Sequence, residues 1–126
     1  MHGTHLIADL HDCRCTPTLL VDTEKLETLC SEACRQHGLT VVGQFFHTFQ
    51  DAAGNPAGVT GAVVLAESHL AIHTWPEIAG VTLDVYVCNF SADNSQRAQA
   101  LFDQLIAVFT PGRAETQRVT RGRLSR

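Results

Sequence analysis

Three strand-like segments follow one another almost without interruption between residues 58 and 88, and they commit the chain to a fold built on a sheet. Residues 58–66 include the apolar run Gly61-Ala62-Val63-Val64-Leu65-Ala66, which reads as a buried strand. Residues 68–75 and 81–88 alternate, so their side chains sort onto two faces. In the first, Leu70 and Ile72 share one face, and His69, Ala71, His73 and Trp75 the other. In the second, Val81, Leu83, Val85 and Val87 oppose Thr82, Asp84, Tyr86 and Cys88. Pro76 forces a break after Trp75, because proline has no N–H to give a ladder. Each strand thus has one face to bury against helices and one chemically mixed face. A small domain rarely gathers His, Asp, Tyr and Cys on one side of a sheet unless solvent or a site lies there.

The flanking segments supply the rest of a layer. Residues 4–10 read as a first strand ended by His11-Asp12. Asp22 caps a helix whose Leu26, Leu29, Cys30, Ala33 and Cys34 recur on one helical face, and Gly38 stops it. A second strand spans 39–49, followed by a turn cluster from Gln50 to Pro56. Asp93-Asn94-Ser95 opens a second helix with Ala98, Leu101, Phe102, Leu105 and Phe109 on one face; Thr110-Pro111-Gly112 ends it, and a short strand over 114–120 closes the chain. This order predicts an α+β two-layer sandwich, an antiparallel β-sheet with two helices packed on one face. The 126 residues make a single domain, 1–126.

Composition excludes several classes of function. A net charge of −4 argues against a nucleic-acid surface, and Arg113, Arg118, Arg121, Arg123 and Arg126 read as a solvated tail. No apolar run approaches the ~18 residues that would span a bilayer. The start carries no basic-then-apolar signal, so a cytoplasmic location is expected. Five cysteines without a secretion signal do not predict disulfides. Cys13-x-Cys15 and Cys30-x-x-x-Cys34 lack zinc-site spacing; Cys30 and Cys34 read as small core residues, while Cys13 and Cys15 have no assigned role. His69 and His73 would share a metal on a helix, but in a strand they stand ~13 Å apart at ~3.3 Å per residue, so no metal site is expected.

The stretch Glu67-Ser68-His69-Leu70-Ala71-Ile72-His73-Thr74-Trp75-Pro76-Glu77 concentrates the chemistry. A serine hydroxyl can attack the carbonyl on its own N-terminal side, here that of Glu67, through an oxyanion that needs a hydrogen-bond donor. A base that removes the Ser68 α-proton then expels the Glu67 carboxylate and leaves dehydroalanine; hydrolysis with loss of ammonia ends in a pyruvoyl group. Thr60, Ser68 and His73 offer the hydroxyl, donor and acid/base functions this requires.

Together with the preceding Gly58-Val59-Thr60-Gly61 and the cysteine twenty positions after Ser68, this motif resembles the short prokaryotic S-adenosylmethionine decarboxylase proenzymes. Gly3-Thr4-His5-Leu6-Ile7-Ala8-Asp9 and Phe46-His47-Thr48-Phe49 are similar to that family as well. The resemblance implies autocatalytic cleavage between Glu67 and Ser68 into a β chain of residues 1–67 and an α chain of residues 68–126. It makes Ser68 the source of a covalent pyruvoyl cofactor that forms a Schiff base with S-adenosylmethionine. It makes His73 the proton acceptor in processing, with Thr60 in support, and Cys88 the proton donor in catalysis. It gives Glu77 the ribose hydroxyls and Phe49 the adenine ring. It also implies a homodimer of αβ protomers and a product that donates the aminopropyl group for spermidine synthesis.

Two departures from the family pattern stand out. Thr60 occupies a position that is commonly serine, which stiffens the side chain and predicts slower processing. The Asp51–Pro56 turn adds residues beside Phe49, an expected change to one wall of the substrate pocket. Two other readings stay open on the sequence: a pyruvoyl-dependent arginine or ornithine decarboxylase of related type, and a non-processing binding subunit.

Overall fold

The computed structural model describes residues 2–90 and 92–125. Six strands, β1 (Gly3–Cys13), β2 (Val41–Gln50), β3 (Pro56–Leu65), β4 (Ser68–Trp75), β5 (Gly80–Cys88) and β6 (Pro111–Arg121), form one sheet in the order β2-β3-β4-β5-β1-β6. Every neighbouring pair is antiparallel. Helices α1 (Thr23–Gln36) and α2 (Ser95–Phe109) cover one face, as the α+β reading expects.

The helix boundaries follow from local chemistry. The Asp22 carboxylate accepts a hydrogen bond from the Lys25 N–H at the start of α1. Gly38, at φ 78°, takes the left-handed position after its end. The predicted apolar face of α2 is buried at all five positions, Ala98, Leu101, Phe102, Leu105 and Phe109. These meet Leu6, Ala8 and Leu10 of β1, Leu70 and Ile72 of β4, and the Val81-Leu83-Val85-Val87 row of β5 in one core. Cys30 and Cys34 belong to that core. Burial pushes the Cys30 thiol up to about 12 and the Cys34 thiol up to about 11.

The first and last strands are longer than expected. β1 runs through His11-Asp12 to Cys13 because β6 pairs with it along its whole length, from Gly3↔Arg121 to Cys13↔Pro111. Asp12 passes this point at φ 51°. β6 starts at Pro111, directly after Thr110 turns left-handed at φ 46°, a position where a missing N–H costs no ladder bond. Arg113, Arg118 and Arg121 therefore sit on an exposed edge strand rather than in a solvated tail; Arg123 follows it, and Arg126 lies outside the described residues.

Candidate active site

β3 and β4 form a hairpin with Leu65 opposite Ser68, leaving Ala66 and Glu67 as a two-residue turn. The Ala66 N–H donates to the Thr40 carbonyl at 3.0 Å and ties the turn to the start of β2. Glu67–Ser68 is thus the bond at which the hairpin re-enters the sheet. It lines a depression with Gly38, Thr40, Asn94 and Arg97.

Cys88 lies at the same end of the sheet. It is buried, closes β5 two residues beyond Tyr86, and faces Gly3 of β1. Gly3 is required there: a Cβ would stand 2.7 Å from the Tyr86 ring and 2.9 Å from the Val87 carbonyl oxygen. After Cys88 the chain turns on Asn94, whose side-chain amide donates to the Cys88 carbonyl at 3.3 Å and whose N–H donates to Asn89 Oδ1 at 2.9 Å.

The remaining expected residues gather at the opposite end. β4 alternates as predicted, with Leu70, Ile72 and Thr74 buried and His73 on the other face. Thr74 reconciles its hydroxyl with the core by donating to the Leu20 carbonyl at 2.7 Å and accepting from the Val59 N–H at 2.9 Å. Thr60 stands directly across from His73, with its Oγ1 3.2 Å from His73 Nδ1. His47 of β2 faces Thr60 from the other side and packs edge-on against Phe49. Phe49, Gly58, Thr60, His73, Trp75 and Glu77 surround a cleft of about 290 Å³. One wall is aromatic, and Glu77 adds a carboxylate.

The structure therefore brings Thr60, His73, Phe49 and Glu77 together at one end of the sheet and puts Ser68 and Cys88 at the other. Ser68 and His73 are five residues apart on one extended strand, or ~17 Å at ~3.3 Å per residue. Ser68, in step with Leu70 and Ile72, borders the helix-covered side at the strand's start, whereas Thr60, His73 and Cys88 lie on the helix-free face of the sheet. That face also exposes Phe45 (72%), Val64 (50%) and Val119 (41%).

One constellation on this face escapes the sequence reading. His5 of β1 and His69 of β4 both face Tyr86 of β5, and Asp84 lies two residues before Tyr86 on the same side. The Asp84 Oδ2 is 2.9 Å from His5 Nε2 and 3.4 Å from His69 Nε2. Alternation already placed His69 and Asp84 on one face; nothing in the periodicity said that β1 would lie beside β5. Arg121 caps the group from β6, its guanidinium 4.4 Å above the Tyr86 ring. Among the described residues, no helix is long and apolar enough to cross a membrane.

Comparison with known proteins agrees with this fold. A family model described as S-adenosylmethionine decarboxylase matches residues 4–122. The S-adenosylmethionine decarboxylase proenzyme of Acidithiobacillus ferrooxidans is 38% identical over 122 residues, covering 97% of this chain and 84% of that one. The proenzyme of Thermodesulfovibrio yellowstonii is 37% identical over 101 residues, covering 80% and 70%. That of Pseudomonas paraeruginosa is 39% identical over 103 residues, and the match spans only 60% of its length. The crystal structure of the adenosylmethionine decarboxylase from Aquifex aeolicus superposes with a TM-score of 0.81 at 32% identity, covering 98% of this chain and 92% of that one. By sequence and by fold, the chain belongs to the S-adenosylmethionine decarboxylase family.

Proposed function

We propose that this chain is a proenzyme that cleaves itself between Glu67 and Ser68 and then decarboxylates S-adenosylmethionine to the aminopropyl donor of spermidine synthesis. The observation that carries the reading is the hydroxyl–imidazole pair Thr60–His73 on a cleft walled by Phe49 and Glu77, in a chain that holds Ser68 at a hairpin turn.

Processing uses the chain's own atoms. Ser68 Oγ attacks the Glu67 carbonyl carbon, and the peptide C–N bond breaks as the ester C–O bond forms. Removal of the Ser68 α-proton by His73 then expels the Glu67 carboxylate. Addition of water and loss of ammonia leave the pyruvoyl group at residue 68. Thr60, hydrogen-bonded to His73, orients the imidazole or donates to the oxyanion.

A fragment of residues 1–67 would carry β1, β2, β3 and α1, and one of residues 68–126 would carry β4, β5, β6 and α2. In the sheet order, β1 of the first fragment lies between β5 and β6 of the second, and β3 pairs with β4. Both fragments stay interlocked after the cut, so the Ser68 end need not fall apart to become active. That arrangement suits a cofactor made from the backbone.

Once formed, the pyruvoyl group supplies an electrophilic ketone and an adjoining carbonyl that act together as an electron sink. The chain's own residues would bind the substrate and protonate it. Glu77 takes the ribose hydroxyls, Phe49 stacks on the adenine, and the Cys88 thiol, on the same end of the sheet as residue 68, returns a proton to the substrate carbon. The Asp51–Pro56 turn satisfies itself, with Asp51 Oδ1 accepting from the Ala53 and Asn55 N–H groups, and leaves Phe49 and Glu77 on the cleft. This favours a nucleoside over arginine or ornithine.

The ~17 Å between Ser68 and His73 favours a second copy that supplies His73. Two sheets laid face to face by a two-fold axis bring the Ser68 end of one protomer over the Thr60–His73 end of the other, twice, and cover Phe45, Val64 and Val119. The functional unit is thus a homodimer with two composite sites. Intact mass measurement under denaturing conditions tests the reading: two fragments are expected, the 68–126 piece lighter by one ammonia than simple hydrolysis gives. A chain that remains whole on long incubation sinks it.

A further inference from the structure

We propose that His5, His69 and Asp84 form a binding site for one divalent transition-metal ion of the zinc type. The three residues come from three adjacent strands, β1, β4 and β5, and one ligand atom from each lies within 4.8 Å of the others. Three donors bound to one tetrahedral ion stand ~3.3 Å apart when each bond is ~2.0–2.1 Å. The observed contacts from Asp84 Oδ2, 2.9 Å to His5 Nε2 and 3.4 Å to His69 Nε2, bracket that spacing. Small side-chain rotations would let an ion enter without moving the backbone.

The donor set decides the kind of ion. Two imidazoles and one carboxylate suit zinc, nickel, cobalt or copper, whereas calcium and magnesium favour oxygen ligands throughout. The scaffold is rigid, because each ligand sits on a strand paired on both sides. The Tyr86 ring contacts both histidines, at centroid distances of 5.8 Å to His5 and 5.7 Å to His69, and restrains their planes. In the single protomer the side chains are 19%, 37% and 29% exposed for His5, His69 and Asp84, so a fourth position faces away from the helices, where water or, in the face-to-face dimer, a group of the partner would complete the ion's shell. Three protein donors leave the fourth position of a tetrahedral ion to another ligand.

This inference does not rest on self-processing, although the two would meet. His5 precedes the Glu67–Ser68 bond, and His69 and Asp84 follow it. In a cleaved protein the ion would be held by both fragments.

Calorimetric titration of the metal-free protein with Zn2+ tests the site, with Co2+ as a spectroscopic probe. One equivalent per chain is expected at a dissociation constant of about 10 µM or tighter, with visible absorption bands for bound Co2+. His5→Gln and Asp84→Asn should each weaken binding at least about tenfold, while His11→Gln should leave it unchanged. Ser68→Ala protein should bind as the wild type does, whether or not processing occurs. Absence of stoichiometric Zn2+ binding by the wild-type protein overturns the proposal, since that result needs no variant to fold. So does binding that His5→Gln and Asp84→Asn leave intact, which would place the ion elsewhere and leave the three residues a hydrogen-bonded trio.

Discussion

Thr60 Oγ1 lies 3.2 Å from His73 Nδ1 across directly paired positions of β3 and β4. The contact joins the residue that departs from the common family pattern to the proposed processing base. Threonine keeps the hydroxyl, and its added methyl narrows the side chain to fewer rotamers. Thr60→Val should therefore fold normally but slow self-cleavage on the order of 10²-fold, followed by gel or mass spectrometry over time. Thr60→Ser should cleave at least as fast as wild type. Equal rates for all three proteins would remove the hydroxyl from the mechanism.

Phe49 and Glu77 share the cleft with His73 but lie at the far end of β4 from Ser68. Their contribution should be to binding. In processed protein, Glu77→Gln should raise KM for S-adenosylmethionine about tenfold, the cost of a charged hydrogen bond to the ribose. Phe49→Ala should raise it by a smaller factor, about threefold to tenfold, through lost ring stacking. In both, kcat should stay near the wild-type value. A fall in kcat at unchanged KM would instead put these residues in the chemical step.

Elements with one buried face were legible in the sequence, and those without one were not. The α2 stripe from Ala98 to Phe109 and the alternation in β4 and β5 emerge in the structure as read, because burial imposes a period. β6 is an edge strand exposed along almost its whole length, so Arg113, Glu115, Gln117 and Arg118 show no apolar rhythm, and only its middle was expected. The His5–Asp84–His69 group depends on β1 inserting between β5 and β6, a long-range pairing that no local pattern encodes. The split of the site was legible but unread. The strand rise that keeps His69 and His73 from sharing a metal also keeps His73 from its own Ser68.

Stability should fall at alkaline pH. Burial pushes the Cys30 thiol up to about 12 and the Cys13 and Cys34 thiols up to about 11. In the unfolded chain a thiol ionises near ~8.5. Above that pH the folded state holds protons that the unfolded state has released, so unfolding becomes easier as pH rises toward the folded values. Stability is full below about pH 8.5 and declines from there to about pH 12. Urea midpoints measured between pH 7 and 11 should show this decline. Cys30→Ala should start lower, having lost core contacts, but fall less steeply. Parallel slopes would assign the alkaline loss to other groups.

Mixing two inactive variants would reveal whether the site is shared. Ser68→Ala lacks the nucleophile, and His73→Ala lacks the base. If each site takes Ser68 from one protomer and His73 from the other, a mixed dimer holds one complete site and one doubly deficient one. The complete site uses the Ser68 of the His73→Ala chain and the His73 of the Ser68→Ala chain. Co-expression with distinguishable tags should therefore cleave only the His73→Ala chain, and the Ser68→Ala chain should stay whole. With random pairing about half of the dimers are mixed, so about one quarter of all sites are complete. Processing within one chain predicts no cleavage of either variant in any mixture. The two outcomes differ in which polypeptide is cut as well as in amount, so intact masses of the co-purified chains decide between them even if assembly is incomplete.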